Sequence, residues 1–325
     1  MKNISIQALR GGLMLWIVLF HFTTRFAELF PNIDIPIQFE NGGKVGVLFF
    51  FVISGFLLGK SLFESNQLPL NSVLKVIINK YWRLWSFYVF AVVIIYTVLC
   101  IFHLPGRTAS VKEFLINLFL IYHPKIGYVD SAHWFIANLV VVQTILCLFI
   151  MLRREIRNNF IITYEVILIV ILFANSFLHD SISSKLMWLL CVESSLKVLL
   201  GYNLSKLMVG GGKLSIDINV FVTFLLIVYY SFTISLLWVP IYTLILITAL
   251  FISKPLNLLY SVAILGDYSF SWYLVHQNIG FIIILGLYNN GVSIEYSLII
   301  AILTTFCLAC ILQFVANKLP RKIIK

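Results

Sequence analysis

Apolar residues run along this chain in long blocks, and short polar or charged segments separate one block from the next. A helix needs about 20 predominantly apolar residues to cross the hydrocarbon core of a bilayer. The pattern therefore predicts an all-α protein, a membrane-embedded bundle of about ten transmembrane helices. The predicted spans are 8–26, 44–62, 81–102, 132–151, 159–177, 185–204, 216–235, 237–253, 268–288 and 294–315.

Two further apolar segments are too short to cross. Segment 113–122 is expected to be interfacial or re-entrant, and segment 255–266 to form a short helix before the ninth span. The first apolar run resembles the core of a signal peptide, but no small-residue cleavage site follows it, so it is interpreted as an uncleaved span.

The distribution of positive charge along the chain predicts its orientation in the membrane. Most of the 23 Lys and Arg residues fall on one side of the predicted spans if the chain starts inside. Cytoplasmic loops of membrane proteins carry this excess of positive charge. Both termini are therefore predicted to be cytoplasmic, and the longest loop, 103–131, to be external. The net charge of +10 then reflects topology rather than a nucleic-acid partner.

Composition supports a single membrane domain. Only 11% of residues are charged and 61% are apolar, whereas about 25% of the residues in soluble domains are charged. Ten spans leave too few residues for a separate soluble domain, so 1–325 is expected to be one membrane-embedded unit. All five cysteines lie in apolar stretches, as buried hydrophobes do. The histidines lack the close spacing of metal ligands, so no metal site is predicted.

Two ionisable residues stand on one face of the first span. Arg10 and His21 are eleven residues apart, so they share a helix face and lie about 16 Å apart along the axis. Ionisable residues inside a membrane are costly and often functional. The alternative is a snorkelling arginine and an interfacial histidine.

A polar stripe follows the ninth span. Ser269, Tyr273, His276 and Gly280 fall at helical spacing. A histidine at this depth is expected to face protein or water rather than lipid. A purely structural hydrogen bond from His276 is the alternative.

Three further groups have a structural explanation beside a functional one. Ser54 and Gly55 in the second span, with Gly59, form a small-residue pattern that lets helices approach closely. Glu193 and Lys197, four residues apart, are expected to pair. Lys80 and Arg83 belong to a basic cluster at the predicted inner face, which suits either an anionic cofactor or anionic lipid.

Several of these features coincide in one family. The chain resembles the integral-membrane acyltransferase-3 family, which comprises bacterial O-acyltransferases of surface glycans. The first matching segment has the family's R-x10-H pattern, and the last has its S-[YF]-x-x-Y-L-x-H pattern. The matching segments are 6–21, 43–57 and 265–276, with a weaker match at 83–88.

The chain departs from the family pattern at two places. Ser86 replaces a proline in the weaker motif, and Leu139 stands where many members have a glutamate. His133 lies nearby in sequence, but the residues alone do not show that it compensates. No role of that glutamate is carried over to this chain.

The resemblance implies a multi-pass enzyme of the bacterial cytoplasmic membrane. It implies transfer of an acyl group, most often acetyl, from acyl-CoA to a hydroxyl of a cell-surface glycan, an exopolysaccharide or a lipid-linked precursor. Arg10 and His21 match the family's essential pair. The expected catalytic residues are His21, Arg10 and His276, and the expected donor-binding residues are Arg10, Lys80, Arg83, Ser54, Gly55, Ser269 and Tyr273.

Each proposed role has a chemical reason. His21 can remove a proton from a sugar hydroxyl or itself be transiently acylated. His276 and Tyr273 are candidates to stabilise the tetrahedral adduct. The expected donor is acetyl-CoA or another acyl-CoA, without a metal. The expected partners are the glycan acceptor and membrane lipid, with no nucleic acid, and a homo-oligomer is compatible with the sequence.

Two non-enzymatic interpretations stay open from the sequence. A transporter or lipid-linked glycan flippase would line its path with buried polar residues, although the paired broken-helix signature of such proteins is missing. The second interpretation is a structural subunit of a polysaccharide assembly complex that has lost its activity. Donor hydrolysis or transfer by purified protein separates these from an acyltransferase.

Overall fold

The structure is a computed structural model that describes residues 3–120, 127–178, 181–209, 218–251 and 257–320. Within these ranges every regular element is a helix. A π-helical turn, His21–Arg25, joins α1 to α2, and 3-10 turns at Ser131–His133 and Phe149–Met151 flank α6. The α-helices are α1 (Ile4–Phe20), α2 (Phe26–Leu29), α3 (Gly42–Glu64), α4 (Leu70–Ile101), α5 (Val111–Asn117), α6 (Trp134–Leu148), α7 (Arg154–Leu178), α8 (Ser181–Leu189), α9 (Val192–Val209), α10 (Ile218–Thr233), α11 (Trp238–Phe251), α12 (Asn257–Asn289) and α13 (Ile294–Ala316).

Seven helical stretches of the described chain are long and apolar enough to cross a membrane. Each overlaps one of the ten predicted spans, so the all-helical, membrane-spanning class is confirmed. The seven stretches are Ile4–Leu29, Gly42–Phe63, Leu70–Ile101, Ser131–Met151, Ile156–Phe177, Leu259–Asn289 and Ile294–Ala316.

None of the other three predicted spans forms one long apolar helix in the described residues. Segments 216–235 and 237–253 correspond to the shorter apolar helices α10 and α11. Segment 185–204 is divided between α8 and α9, where Cys191 has a φ of 45°. This left-handed conformation is uncommon for a residue with a side chain and ends the first helix. The count of ten and the side on which the termini lie stay predictions.

The prediction for segment 255–266 is wrong in its boundary. From Asn257, the first described residue there, helix α12 continues without a break to Asn289. Gly266 has the lowest helix propensity in this stretch, and one glycine costs only about 1 kcal/mol. The segment 113–122 contains the short helix α5, capped by reciprocal hydrogen bonds of Ser110 and Glu113. Its last two residues lie outside the described residues.

The chain divides into two compact units. The first comprises Met1–Val47, Trp82–Phe135 and Ile241–Arg321, and its helix α1 packs along α12, which also packs against α13. Two glycines permit this packing. A Cβ on Gly11 would collide with the backbone of α12 at Val262 and Gly266, and a Cβ on Gly266 would collide with the carbonyl of Gln7.

The second unit comprises Leu48–Tyr81, Ile136–Pro240 and Lys322–Lys325. Helices α3 and α9 approach closely, because a Cβ on Gly55 would collide with the carbonyl of Val198. This is the packing role expected for the small residues of the second span. The pair predicted between Glu193 and Lys197 is also present, with Oε2 and Nζ 3.5 Å apart.

The α1–α12 contact predicts opposite effects at two neighbouring glycines. Gly11→Ala should lower the free energy of unfolding by about 1–3 kcal/mol, because backbone of α12 occupies the space. Gly12→Ala has nothing within 4 Å of the new Cβ and should stabilise by up to about 1 kcal/mol. Thermal unfolding of both purified variants in detergent measures the difference. Equal unfolding midpoints would contradict the close contact.

Candidate active site

The first histidine of the site lies where helix α1 changes its winding. His21 is the first residue of the π-helical turn, a local widening that often marks functional sites. The hydroxyl of Thr23 donates to the carbonyl of Leu19 at 2.6 Å and accepts from the amide of Phe39 at 3.3 Å. These bonds hold the turn directly after His21, which itself is partly exposed.

The second histidine lies against the first. The ring centroids of His21 and His276 are 4.9 Å apart, with an angle of 66° between the ring planes. His276 is fully buried. Its Nδ1 lies 2.8 Å from the carbonyl oxygen of Tyr273 and must donate a proton there, because a carbonyl only accepts. In the neutral ring Nε2 is then an unprotonated acceptor. It is buried and has no hydrogen-bond partner among the described residues, and the same is true of Nδ1 of His21.

Arg10 has charged neighbours of both signs. It interacts electrostatically with Asp267 on α12 and with Arg83 on α4, and its guanidinium lies 3.4 Å from the amide oxygen of Gln7. The first unit therefore contains six of the predicted site residues, Arg10, His21, Arg83, Ser269, Tyr273 and His276. Two adjacent cations favour binding of an anion.

The hydroxyl groups of the predicted site already donate their protons. Tyr273 donates to the carbonyl of Ala132 at 2.5 Å, and Ser269 donates to the carbonyl of Gly266 at 2.8 Å. In the second unit Ser54 donates to the carbonyl of Phe50 at 2.8 Å. Each hydroxyl can accept a further bond but has no proton left to give. Lys80 and Gly55 also belong to the second unit.

A short segment, residues 129–133, holds the helix that carries His276. The amide of Asn278 donates to the carboxylate of Asp130 at 3.1 Å. The carbonyl of Leu274 accepts from Nε2 of His133 at 2.9 Å. These two backbone groups are the donor and acceptor that an α-helix pairs between residues four apart. Asp130 and His133 thus bind the helix backbone on both sides of His276.

Further bonds from the same segment complete this attachment. The side-chain amide of Asn278 donates to the carbonyl of Val129 at 2.9 Å, and the hydroxyl of Ser131 lies 3.4 Å from the amide oxygen of Gln277. With the bond from Tyr273 to Ala132, every residue from 129 to 133 contacts α12. We refer to residues 129–133 as the clamp segment.

Asn117 fixes the start of the clamp segment. It donates to the carbonyl of Gly127 at 2.9 Å and accepts from the amide of Val129 at 3.2 Å. The hydroxyl of Tyr88 lies 3.4 Å from the same Asn117 oxygen, and the Tyr88 ring lies 5.1 Å from the ring of His133. The tyrosine of the weaker sequence motif therefore supports the clamp segment.

Comparison with known families agrees with these observations. A family model described as an acyltransferase domain matches residues 3–316. The chain belongs to the acyltransferase-3 family. The resemblance inferred from the sequence motifs is thereby confirmed, and the protein is a multi-pass membrane acyltransferase. No curated protein and no solved structure matches the chain.

Several important residues of this acyltransferase escape motif analysis. Asp130, Asn117 and Asn278 carry the clamp segment and its support, yet no family motif pointed to them. The one signal was a polar run, His276 to Asn278, inside an otherwise apolar helix. His133, noted only as a departure from the family pattern, is a helix-binding donor. Leu139 is a buried apolar residue.

The clamp segment predicts a large effect of Asp130→Ala. Its two oxygens accept from the amides of Ala132 and Asn278. Leaving a buried donor unsatisfied costs about 1–3 kcal/mol, so the unfolding midpoint should fall. Ser131→Ala, which removes a longer bond in the same segment, is the matched control and should have a smaller effect. Thermal unfolding in detergent decides, and equal effects of the two substitutions would exclude a special role of Asp130.

Proposed function

We propose that this acyltransferase moves an acyl group, most often acetyl, from acyl-CoA to a hydroxyl of a surface or exopolysaccharide glycan or of its lipid-linked precursor. The observation that supports the proposal most is the His21–His276 pair. The two imidazoles are in contact, and each has a ring nitrogen without a hydrogen-bond partner in the described part of the chain. Together they form a proton-accepting site among membrane-spanning helices.

His21 is the proposed general base because it is the accessible member of the pair. Its unprotonated nitrogen removes the proton of the sugar hydroxyl, and the hydroxyl oxygen attacks the thioester carbonyl carbon. The carbon–sulfur bond then breaks, and the leaving thiolate takes the proton back from the imidazolium. In the alternative route a nitrogen of His21 attacks the thioester carbon, the carbon–sulfur bond breaks and the thiolate leaves. The sugar hydroxyl then takes the acyl group from the imidazole, and its proton goes to the thiolate.

His276 is assigned to proton acceptance rather than to oxyanion stabilisation. Its Nδ1 proton is donated to the carbonyl of Tyr273, and the Tyr273 proton is donated to Ala132. Neither group presents a free donor to a developing oxyanion, which differs from the role expected for them. The free Nε2 of His276 can instead accept a hydrogen bond from His21 when His21 becomes protonated.

The donor phosphates are assigned to the other end of α1. Arg10 interacts there electrostatically with Arg83 and with Asp267. A guanidinium binds phosphate bidentately. The separation of Arg10 from His21, about 16 Å along the helix axis, would place the phosphates and the thioester of an extended donor at different residues.

His21→Ala should abolish transfer while the protein still inserts. Loss of a general base lowers the rate by about 10²–10⁴-fold, and loss of an acyl carrier lowers it further. His21→Gln should fail as well, because glutamine cannot take up a proton. Acylated glycan per membrane-inserted protein is the measurement, and His103→Ala, at an exposed histidine, is the matched control. Near-normal acylation by His21→Ala would leave His276 as the candidate base.

Arg83→Ala should weaken donor binding more than it slows the chemical step. The expected signature is a raised KM for acyl-CoA with nearly unchanged kcat. Arg83→Lys keeps the charge but loses the planar fork, so its KM should lie between the two. Arg153→Ala, at another exposed arginine, is the control. An unchanged donor KM in Arg83→Ala would make Arg83 a lipid anchor.

A further inference from the structure

Arg107 occupies a specific position beside the clamp segment. It follows Gly106, whose φ of 73° turns the chain after α4. Its guanidinium lies over the ring of Phe281 at 5.9 Å from the centroid, and its Nη1 donates to the hydroxyl of Ser131. The side chain is partly buried, so its position is fixed by contacts on two sides.

No carboxylate forms an ion pair with Arg107 within the described residues. Asp130 is an electrostatic neighbour, but its oxygens accept backbone amides. Glu113 accepts the amide and hydroxyl of Ser110, and Glu28 pairs with Arg25 at 2.5 Å. Burial lowers the pKa of Arg107 and Asp130 opposes this, and the guanidinium remains charged at neutral pH.

Arg107 lies on the far side of His21 from Arg10. The centroid of the Phe281 ring beneath it lies 5.6 Å from that of Phe26 and 6.5 Å from that of Phe22, and both of these residues come after His21 on the chain. Arg107 also interacts electrostatically with His21. Arg10 therefore lies on one side of His21 and Arg107 on the other. The proposed binding of the donor phosphates uses Arg10 and Arg83, and it gives Arg107 no role.

We propose that Arg107 binds an anionic group of the acceptor, a carboxylate or a phosphate, and so directs a nearby hydroxyl toward His21. This inference rests on the proposed function and names the acceptor class. A partly desolvated guanidinium that has no carboxylate partner among the described residues gains most from a charge-assisted bidentate bond to anionic oxygen. A carboxylate would come from an acidic sugar, and a phosphate from a glycosyl phosphate or lipid-linked precursor.

The test compares three acceptor probes at saturating acetyl-CoA: a neutral oligosaccharide, a uronate-containing one and a glycosyl phosphate. Arg107→Gln should raise KM for an anionic probe by about 10–100-fold, as loss of a charged hydrogen bond does, with little change in kcat or in neutral-probe KM. Arg107→Lys should restore part of the loss. Added salt should raise the anionic-probe KM of the unaltered protein but not that of Arg107→Gln. The anionic probe whose KM rises in Arg107→Gln shows whether the acceptor carries a carboxylate or a phosphate.

Two controls separate binding from structure. Ser131→Ala removes the contact to Arg107 but keeps its charge, and Arg25→Gln removes a charge already paired with Glu28. Both should change KM for the anionic probe far less than Arg107→Gln. If Ser131→Ala reproduces the effect, Arg107 only supports the clamp segment, and the proposal is wrong. Equal effects of Arg107→Gln on neutral and anionic probes also overturn it.

A direct binding measurement keeps this inference separate from the proposed function. Thermal shift of the purified protein with each probe needs no acyl donor. Stabilisation by an anionic probe that is lost in Arg107→Gln would support the acceptor site. This holds even if acetyl-CoA gives no transfer, because that second result would contradict only the assignment of the donor. Absence of stabilisation by both anionic probes, with normal transfer to the neutral one, would reject the role of Arg107 and leave the acyltransferase proposal intact.

Discussion

The contact between α1 and α12 is the constraint on which the site depends. Lipid chains are as apolar as leucine, so membrane helices gain stability from close packing rather than from leaving water. Gly11 and Gly266 provide that packing, because either Cβ would collide with the opposite backbone. Once these helices touch, His21 on one and His276 on the other lie in contact. The contact between the two imidazoles thus depends on two positions that lack a side chain.

The clamp segment adds a second constraint, which acts on the backbone. A helix can slide or rotate against a neighbour when only apolar side chains meet, whereas hydrogen bonds to a particular amide and a particular carbonyl fix its register. Asp130 and His133 form such bonds on α12 around His276. Buried hydrogen bonds of this kind are costly to break, so the position of the imidazole is set by both packing and polar contacts.

Much of the architecture could be predicted because it depends on local pattern. Apolar blocks predicted the positions of the seven long helices, and the pair of Glu193 with Lys197 followed from a separation of four residues. The continuous α12 was missed because segment 255–266 was treated as a short apolar segment separate from the ninth span. The clamp segment was missed for a deeper reason. Its bonds to α12 join residues 141 to 149 positions apart and often end on backbone atoms, which carry no residue-type signal.

The π-helical turn that begins at His21 confines the effect of a change in chain length to the turn itself. A π turn contains one more residue than the α-helical turn it replaces. Loss of one residue between His21 and Arg25 would therefore return the segment to ordinary winding and leave the helix on either side in its register. Phe26, beyond the turn, would keep its packing against Phe281, and only the side chains inside the turn would change direction. A single insertion or deletion at this point can thus reshape the surface beside His21 without moving the helices that hold it.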